Sequence, residues 1–202
     1  PTLMKKDGVT DYVSFAKDVL TVIKDMPISF EVFSDDFDSM EKQARLIGSW
    51  GENVYIKIPV TNTKGETSYE LIKKLTSDGL KLNITAIMTT EQVEKVMDSI
   101  SENTKTIISV FAGRIADTGR DPIPYMKRSL EIVKKNSNAE LLWASSRELL
   151  NIIQADECGC DIVTVTNDII KKLIMINKDL DELSLDTVKM FYNDAASAGY
   201  SF

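Results

Sequence analysis

Six short runs rich in β-branched and aromatic residues recur along the chain with helix-periodic segments between them, and that rhythm restricts the fold more than any other feature. The runs are "ISFEVF" (28–33), "VYIKIPV" (54–60), "KLNITAIM" (81–88), "TIISVFAG" (106–113), "ELLWAS" (140–145) and "DIVTVT" (161–166). Their starts lie about 20–35 residues apart, the length of a strand–helix–strand unit. Between them "SMEKQARLIGSW" (39–50), "SYELIKKLTSDG" (68–79), "TEQVEKVMDSI" (90–100), "PYMKRSLEIVKKN" (124–136) and "SRELLNIIQADECG" (146–159) read as helices, with Gly79 at a C-cap and a further helix over 8–26. The pattern predicts an α/β chain built on a parallel sheet. No Pro/Gly/Ser linker divides it, so a single domain over residues 1–202 is expected, ending in a helical tail at about 184–202.

An open doubly wound sheet and a (β/α)8 barrel both satisfy that rhythm, and the alternation inside the strands separates them. Every second position collects Glu31, Lys57, Asn83, Thr85, Ser109, Phe111, Trp143 and Ser145 on one face. The other face collects Phe30, Val32, Ile56, Ile58, Leu82, Ile84, Ala86, Ile108, Val110, Leu142 and Ala144. A doubly wound sheet is covered by helices on both sides and should be apolar on both. A barrel covers one face and turns the other inward, where polar groups can serve a site at the carboxyl ends of the strands, so a (β/α)8 TIM barrel is predicted. The six runs fall short of the eight strands of such a barrel. The first strand and most of the second are therefore expected to precede Pro1.

Composition excludes several classes of function. With 43% hydrophobic and 27% charged residues the chain suits a compact domain, and it has neither an apolar run long enough to span a bilayer nor a secretory leader pattern. A cytoplasmic enzyme or binding protein is expected. The net charge of −7, without a basic block, argues against nucleic acid, and any anionic ligand must be met by local positive groups. The chain has no histidine, which rules out imidazole triads and HExxH zinc sites. Cys158 and Cys160 are too few for a structural zinc site and too close for an easy disulfide, so they are read as small packing residues. "TNTKGE" (61–66) lacks the glycine spacing of a phosphate-binding P-loop and reads as a turn.

One residue contradicts its surroundings. Lys57 interrupts a run of Val54, Tyr55, Ile56, Ile58 and Val60 on the face that also carries Glu31 and Asn83. On an inward face, desolvation disfavours an ammonium and leaves some neutral amine able to attack a ketone or aldehyde. The iminium so formed withdraws electrons and lets the neighbouring carbon–carbon bond break. A buried ion pair with Glu31 accounts for the same residues with equal weight, so the alternation alone leaves both readings open. Farther along, Arg114 in "GRIADTGRDP" (113–122) and Arg147 in "SSRELL" (145–150) leave the carboxyl ends of neighbouring strands, with Ser145 and a helix start beside them. Guanidinium forks, a hydroxyl and helix amides can make a phosphate site there, although each arginine alone is more often a surface ion pair.

Four stretches in order, "YIKIPVT", "LNITAI", "SVFAGRIAD" and "WASSRE", resemble the transaldolase family, which includes the fructose-6-phosphate aldolases. The resemblance runs from Pro1 to about residue 175. It implies a Schiff base on Lys57 with the donor ketose, a proton-passing water held by Glu31 and Thr85, and donor hydroxyls bound by Asn83. Ser109 and Phe111 would line the pocket, and Arg114, Ser145 and Arg147 would receive the sugar phosphate. Glu31 matches the transaldolase branch, where the aldolase branch usually has Gln, and Phe111 stands where that branch usually has Tyr, which favours transfer of a dihydroxyacetone unit over simple cleavage. No metal or organic cofactor is implied, and family members commonly form rings, so a homo-oligomer is expected by analogy. The family's acid–base Asp and its "TTNP" motif are not matched, since "PTLMKKDG" resembles the run that begins at that motif's proline. A catalytically idle sugar-phosphate-binding protein is the alternative outside enzymes. The tail contains an amphipathic run with Val188, Phe191 and Tyr192, expected to pack on a barrel or on a neighbour.

Overall fold

The computed structural model describes Met4 and residues 8–200. The chain divides into two compact units, Pro1–Val165 and Thr166–Phe202. Apart from Met4 and Gly8, the stretch "PTLMKKDG" lies outside the described residues.

The first unit alternates helices and strands as α1 (Tyr12–Val22), β1 (Ile28–Glu31), α2 (Phe37–Gly48), β2 (Val54–Pro59), α3 (Tyr69–Ser77), β3 (Leu82–Ile87), α4 (Thr90–Met97) and β4 (Thr106–Val110). It continues through a five-residue helix α5 (Ala112–Ala116), then α6 (Ile123–Val133), β5 (Ala139–Trp143), α7 (Leu150–Cys158) and β6 (Ile162–Val163). Local chemistry sets the boundaries. Asp11 and Asp36 cap α1 and α2 by accepting from Ser14 N and Ser39 N, and Thr89 with Gln92 forms a capping box on α4. After α3 and α7 the chain turns through left-handed Gly79 and Gly159, at φ +83° and +78°. The helix expected over 8–26 forms over Tyr12–Val22. The second unit holds α8 (Asn167–Ile170), a 3-10 turn over Lys171–Met175 and α9 (Leu180–Ala198), which spans most of the expected tail and has no buried residue.

The six strands of the described residues are all parallel and lie in the order β1-β2-β3-β4-β5-β6. Consecutive order carries every crossover the same way, so the helices gather on one side, and the sheet is a half-barrel rather than a doubly wound sheet with a reversal point. Under the helices, Phe30, Val32, Ile56, Ile58, Leu82, Ile84, Ile108 and Val110 pack with Met40, Ile72, Leu75, Val93, Val96, Met126 and Ile132. Full burial of each aliphatic side chain contributes roughly 1.5–3 kcal/mol. The opposite face carries a smaller cluster of Tyr55, Ile107, Leu142 and Ala144, with Phe111 and Ile162 packed against it.

The face assignments made from the sequence for Leu142, Trp143 and Ala144 in and after β5 are reversed, and that for Ala86 in β3 shifts by one residue. Ser109 pairs with Leu142, and Val110 with Trp143, so Leu142 and Ala144 sit on the face opposite the helices while Trp143 is fully buried beneath them. In β3 the register shifts between Ile84 and Ile87, and Ala86 takes φ +63°. This one-residue bulge hands the core position expected for Ala86 to Ile87. Cys158 belongs to the core and Cys160 packs against it. Burial, reinforced by Cys158 and Asp161, pushes the Cys160 thiol up to about 12. Among the described residues no helix is long and apolar enough to cross a membrane.

Candidate active site

Lys57 lies at the centre of the face turned away from the helices. Its register partners are Glu31 on β1 and Asn83 on β3, which sets a lysine between a carboxylate and an amide on three adjacent strands. Lys57 is half-buried, and among the described residues its ammonium has neither a hydrogen bond nor an ion pair. Glu31, also half-buried, ends β1, the first strand of the sheet order. Its N–H donates to Tyr12 Oη at 2.8 Å, and the Tyr12 hydroxyl donates back to its carbonyl at 3.4 Å. Burial pushes the Tyr12 phenol up, and the nearby Glu31 charge acts in the same direction, so Tyr12 remains a neutral clamp on this strand end.

Asn83 is held from both sides. Its Oδ1 accepts from Ser109 Oγ at 2.6 Å, and its Nδ2 donates to Ser29 Oγ at 3.0 Å. The amide is buried and both of its ends are engaged, which fixes its orientation. One step farther along β3, the buried Thr85 Oγ1 has no hydrogen-bond partner among the described residues. Burying a hydroxyl without a partner costs about 1–3 kcal/mol, so this position suits a water or a substrate hydroxyl. Ser109 is buried, and Phe111 continues the face beyond the end of β4.

The second part of the site lies in the loops after β4 and β5. Arg114 on α5 sets its guanidinium carbon 5.7 Å from the Phe111 ring centroid, a cation–π geometry that leans the charge toward the Lys57 face. Gly113 backs directly onto the β5–α7 loop. Its N–H donates to Ala144 O, and a Cβ at Gly113 would lie 1.7 Å from Ser145 O. Ser145 is left-handed, at φ +63°. The Arg147 guanidinium pairs through Nε and Nη2 with Asp117, at the end of α5. The amides of Arg147 and Glu148 both donate to Asn151 Oδ1, so two amides expected to serve an anion are already occupied.

Residues 9–201 match the Transaldolase/Fructose-6-phosphate aldolase family. The chain belongs to this family. A probable transaldolase of Dehalococcoides mccartyi is 29% identical over 175 residues, covering 86% of this chain and 77% of that protein. A probable transaldolase of Streptococcus pyogenes is 30% identical over 198 residues, covering 98% and 86%. Among solved structures, a mandelate oxidase superposes with a TM-score of 0.50 at 17% identity, over 74% of this chain and 50% of that one, a likeness of fold alone.

The transaldolase/fructose-6-phosphate aldolase fold thus presents Lys57, Glu31, Asn83, Thr85, Ser109 and Phe111 on one face, as the alternation predicts. It sets Arg114, Ser145 and Arg147 on two loops joined at Gly113 but sends the two guanidinium groups to different partners. Sequence reasoning missed Ser29, Tyr12, Gly113, Asp117 and Asn151. Ser29 was within reach, lying two residues before Glu31 on the same face of β1. Tyr12 carried a weaker signal, the spacing with Ala16 and Leu20 along the packed side of α1. The others act through loop contacts that no periodicity encodes.

Proposed function

We propose that this family member is a transaldolase that moves a dihydroxyacetone unit between sugar phosphates through a Schiff base on Lys57. The observation that carries the reading is the placement of a half-buried Lys57 in register between the Glu31 carboxylate and the Asn83 amide on three adjacent strands. The Lys57 amine adds to the C2 carbonyl of a ketose phosphate, and loss of water gives an iminium. The C3–C4 bond then breaks, its electron pair moving into the iminium to form an enamine, while the C4 hydroxyl gives up its proton, its oxygen becomes a carbonyl, and the fragment from C4 onward leaves as an aldehyde. The enamine adds to an acceptor aldehyde, and hydrolysis of the new iminium frees Lys57.

Glu31 and Thr85 hold the water that carries protons during formation and hydrolysis of the iminium, and the Thr85 hydroxyl, without a partner among the described residues, supports that role. Asn83, fixed by Ser29 and Ser109, orients the donor hydroxyls, and Phe111 lines the pocket. Arg114, Ser145 and Arg147 receive the phosphate, which lets a chain of net charge −7 bind an anionic substrate. Glu31 and Phe111 favour transfer over the cleavage of a fructose-6-phosphate aldolase. The same reading puts the enzyme among the sugar-phosphate exchanges of pentose phosphate metabolism in the cytoplasm, as a homo-oligomer without metal or organic cofactor.

The test supplies fructose 6-phosphate with and without an aldose phosphate and follows the new ketose phosphate and free triose phosphate. Transfer product formed by the wild type and absent from Lys57→Met is expected. Equal product from Lys57→Met would refute the assignment.

A further inference from the structure

Arg147 is already paired within the chain. Its Nε donates to Asp117 Oδ1 at 3.1 Å and its Nη2 to Asp117 Oδ2, which closes one edge of the guanidinium on a carboxylate. The Arg147 stem rests against α5, since a Cβ at Gly113 would meet Arg147 Cγ at 3.3 Å, and the head reaches the far end of that helix. Arg114, from the same helix, leans toward Phe111 instead. The Asp117 backbone N–H bonds to Gly113 O at 3.0 Å, so the turn that carries Asp117 does not depend on its side chain.

The two side chains are 48% and 52% exposed, so the pair is weak and opens at small cost. A phosphate dianion is the stronger partner for a planar fork, and the same Nε/Nη2 edge that holds Asp117 is an edge suited to two phosphate oxygens. A carboxylate left beside a bound phosphate would also repel it. We propose that Asp117 is a built-in competing anion: it holds Arg147 while the site is empty, and the sugar phosphate must displace it to recruit Arg147. This inference rests on the phosphate site of the proposed function and assigns Asp117 as a residue that sets affinity for phosphorylated over unphosphorylated sugars.

Calorimetric titration with inorganic phosphate, on the wild type, Asp117→Asn, Arg147→Gln and the double variant, tests it. Asp117→Asn is expected to bind phosphate about two- to five-fold more tightly, or ~0.4–1 kcal/mol, the scale of an exposed ion pair. The gain should vanish in the Arg147→Gln background, and Asp117→Ala should reproduce it. In turnover, the preference in kcat/KM for fructose 6-phosphate over fructose should rise by the same factor, through KM. Wild-type binding with an unchanged or weaker affinity in both Asp117 variants would overturn the inference and leave the phosphate site standing. No phosphate binding by the wild type, together with a KM that Arg147→Gln does not alter, would overturn the phosphate site itself and this inference with it.

Discussion

At the scale of single residues, the face around Lys57 contrasts satisfied and unsatisfied polar groups. Asn83 has both ends of its amide engaged, while the buried Thr85 hydroxyl has no partner among the described residues. A protein gains nothing in stability from such a hydroxyl, and a site that needs a water does. Thr85→Val keeps the shape and removes the hydroxyl. It is expected to leave the melting temperature unchanged or raise it, by up to about 1 kcal/mol in stability, while lowering kcat by roughly 100-fold. Thermal denaturation beside steady-state kinetics reads both, and loss of stability without loss of rate would make Thr85 a packing residue. In the proposed function Phe111 carries the choice between transfer and cleavage. Phe111→Tyr sets a hydroxyl where water could protonate the enamine, and is expected to raise cleavage over transfer by roughly ten-fold. An unchanged product ratio would remove that position from the argument. Lys57, Glu31, Asn83, Thr85 and Ser109 were legible from alternation because a strand has a strict period of two. The Asp117 partner of Arg147 was not, since it depends on how two loops fold against each other.

At the scale of elements, the site depends on the junction between α5 and the β5–α7 loop. Only hydrogen fits on Gly113, because Ser145 O occupies the space of a Cβ. Gly113→Ala must push away the loop that carries Ser145 and Arg147, at a cost of about 1–3 kcal/mol for overpacking. A lower melting temperature is expected, with a KM for fructose 6-phosphate that rises more than the KM for fructose. Equal effects on the two sugars would show that the junction supports the fold without aiming the phosphate loop. The short helix α5 could not be foreseen from periodicity, since five residues make little more than one turn. The bulge at Ala86 was equally hidden. It keeps Thr85 on the Lys57 face while returning Ile87 to the core, a change of phase within one strand that a fixed alternation misreads.

At the scale of the whole molecule, the strand count, the parallel sheet and the polarity of its two faces were readable because each strand contributes its own alternation and the helices have clear boundaries. The polar face was read as one continuous inner surface, and the register confirms it from β1 through β4. It failed at β5, where counting every second position set Trp143 on the polar face and it instead fills the core beneath the helices. Register with a neighbouring strand decides that phase, and a single sequence does not contain it. The central claim is that the lysine set in this sheet is a nucleophile. Borohydride reduction in the presence of fructose 6-phosphate, followed by peptide mass spectrometry, tests it most directly. A reduced ketose adduct is expected on the peptide bearing Lys57 and none in Lys57→Met. A folded wild-type protein that turns over fructose 6-phosphate yet yields no adduct, or one trapped on a different lysine, would contradict it.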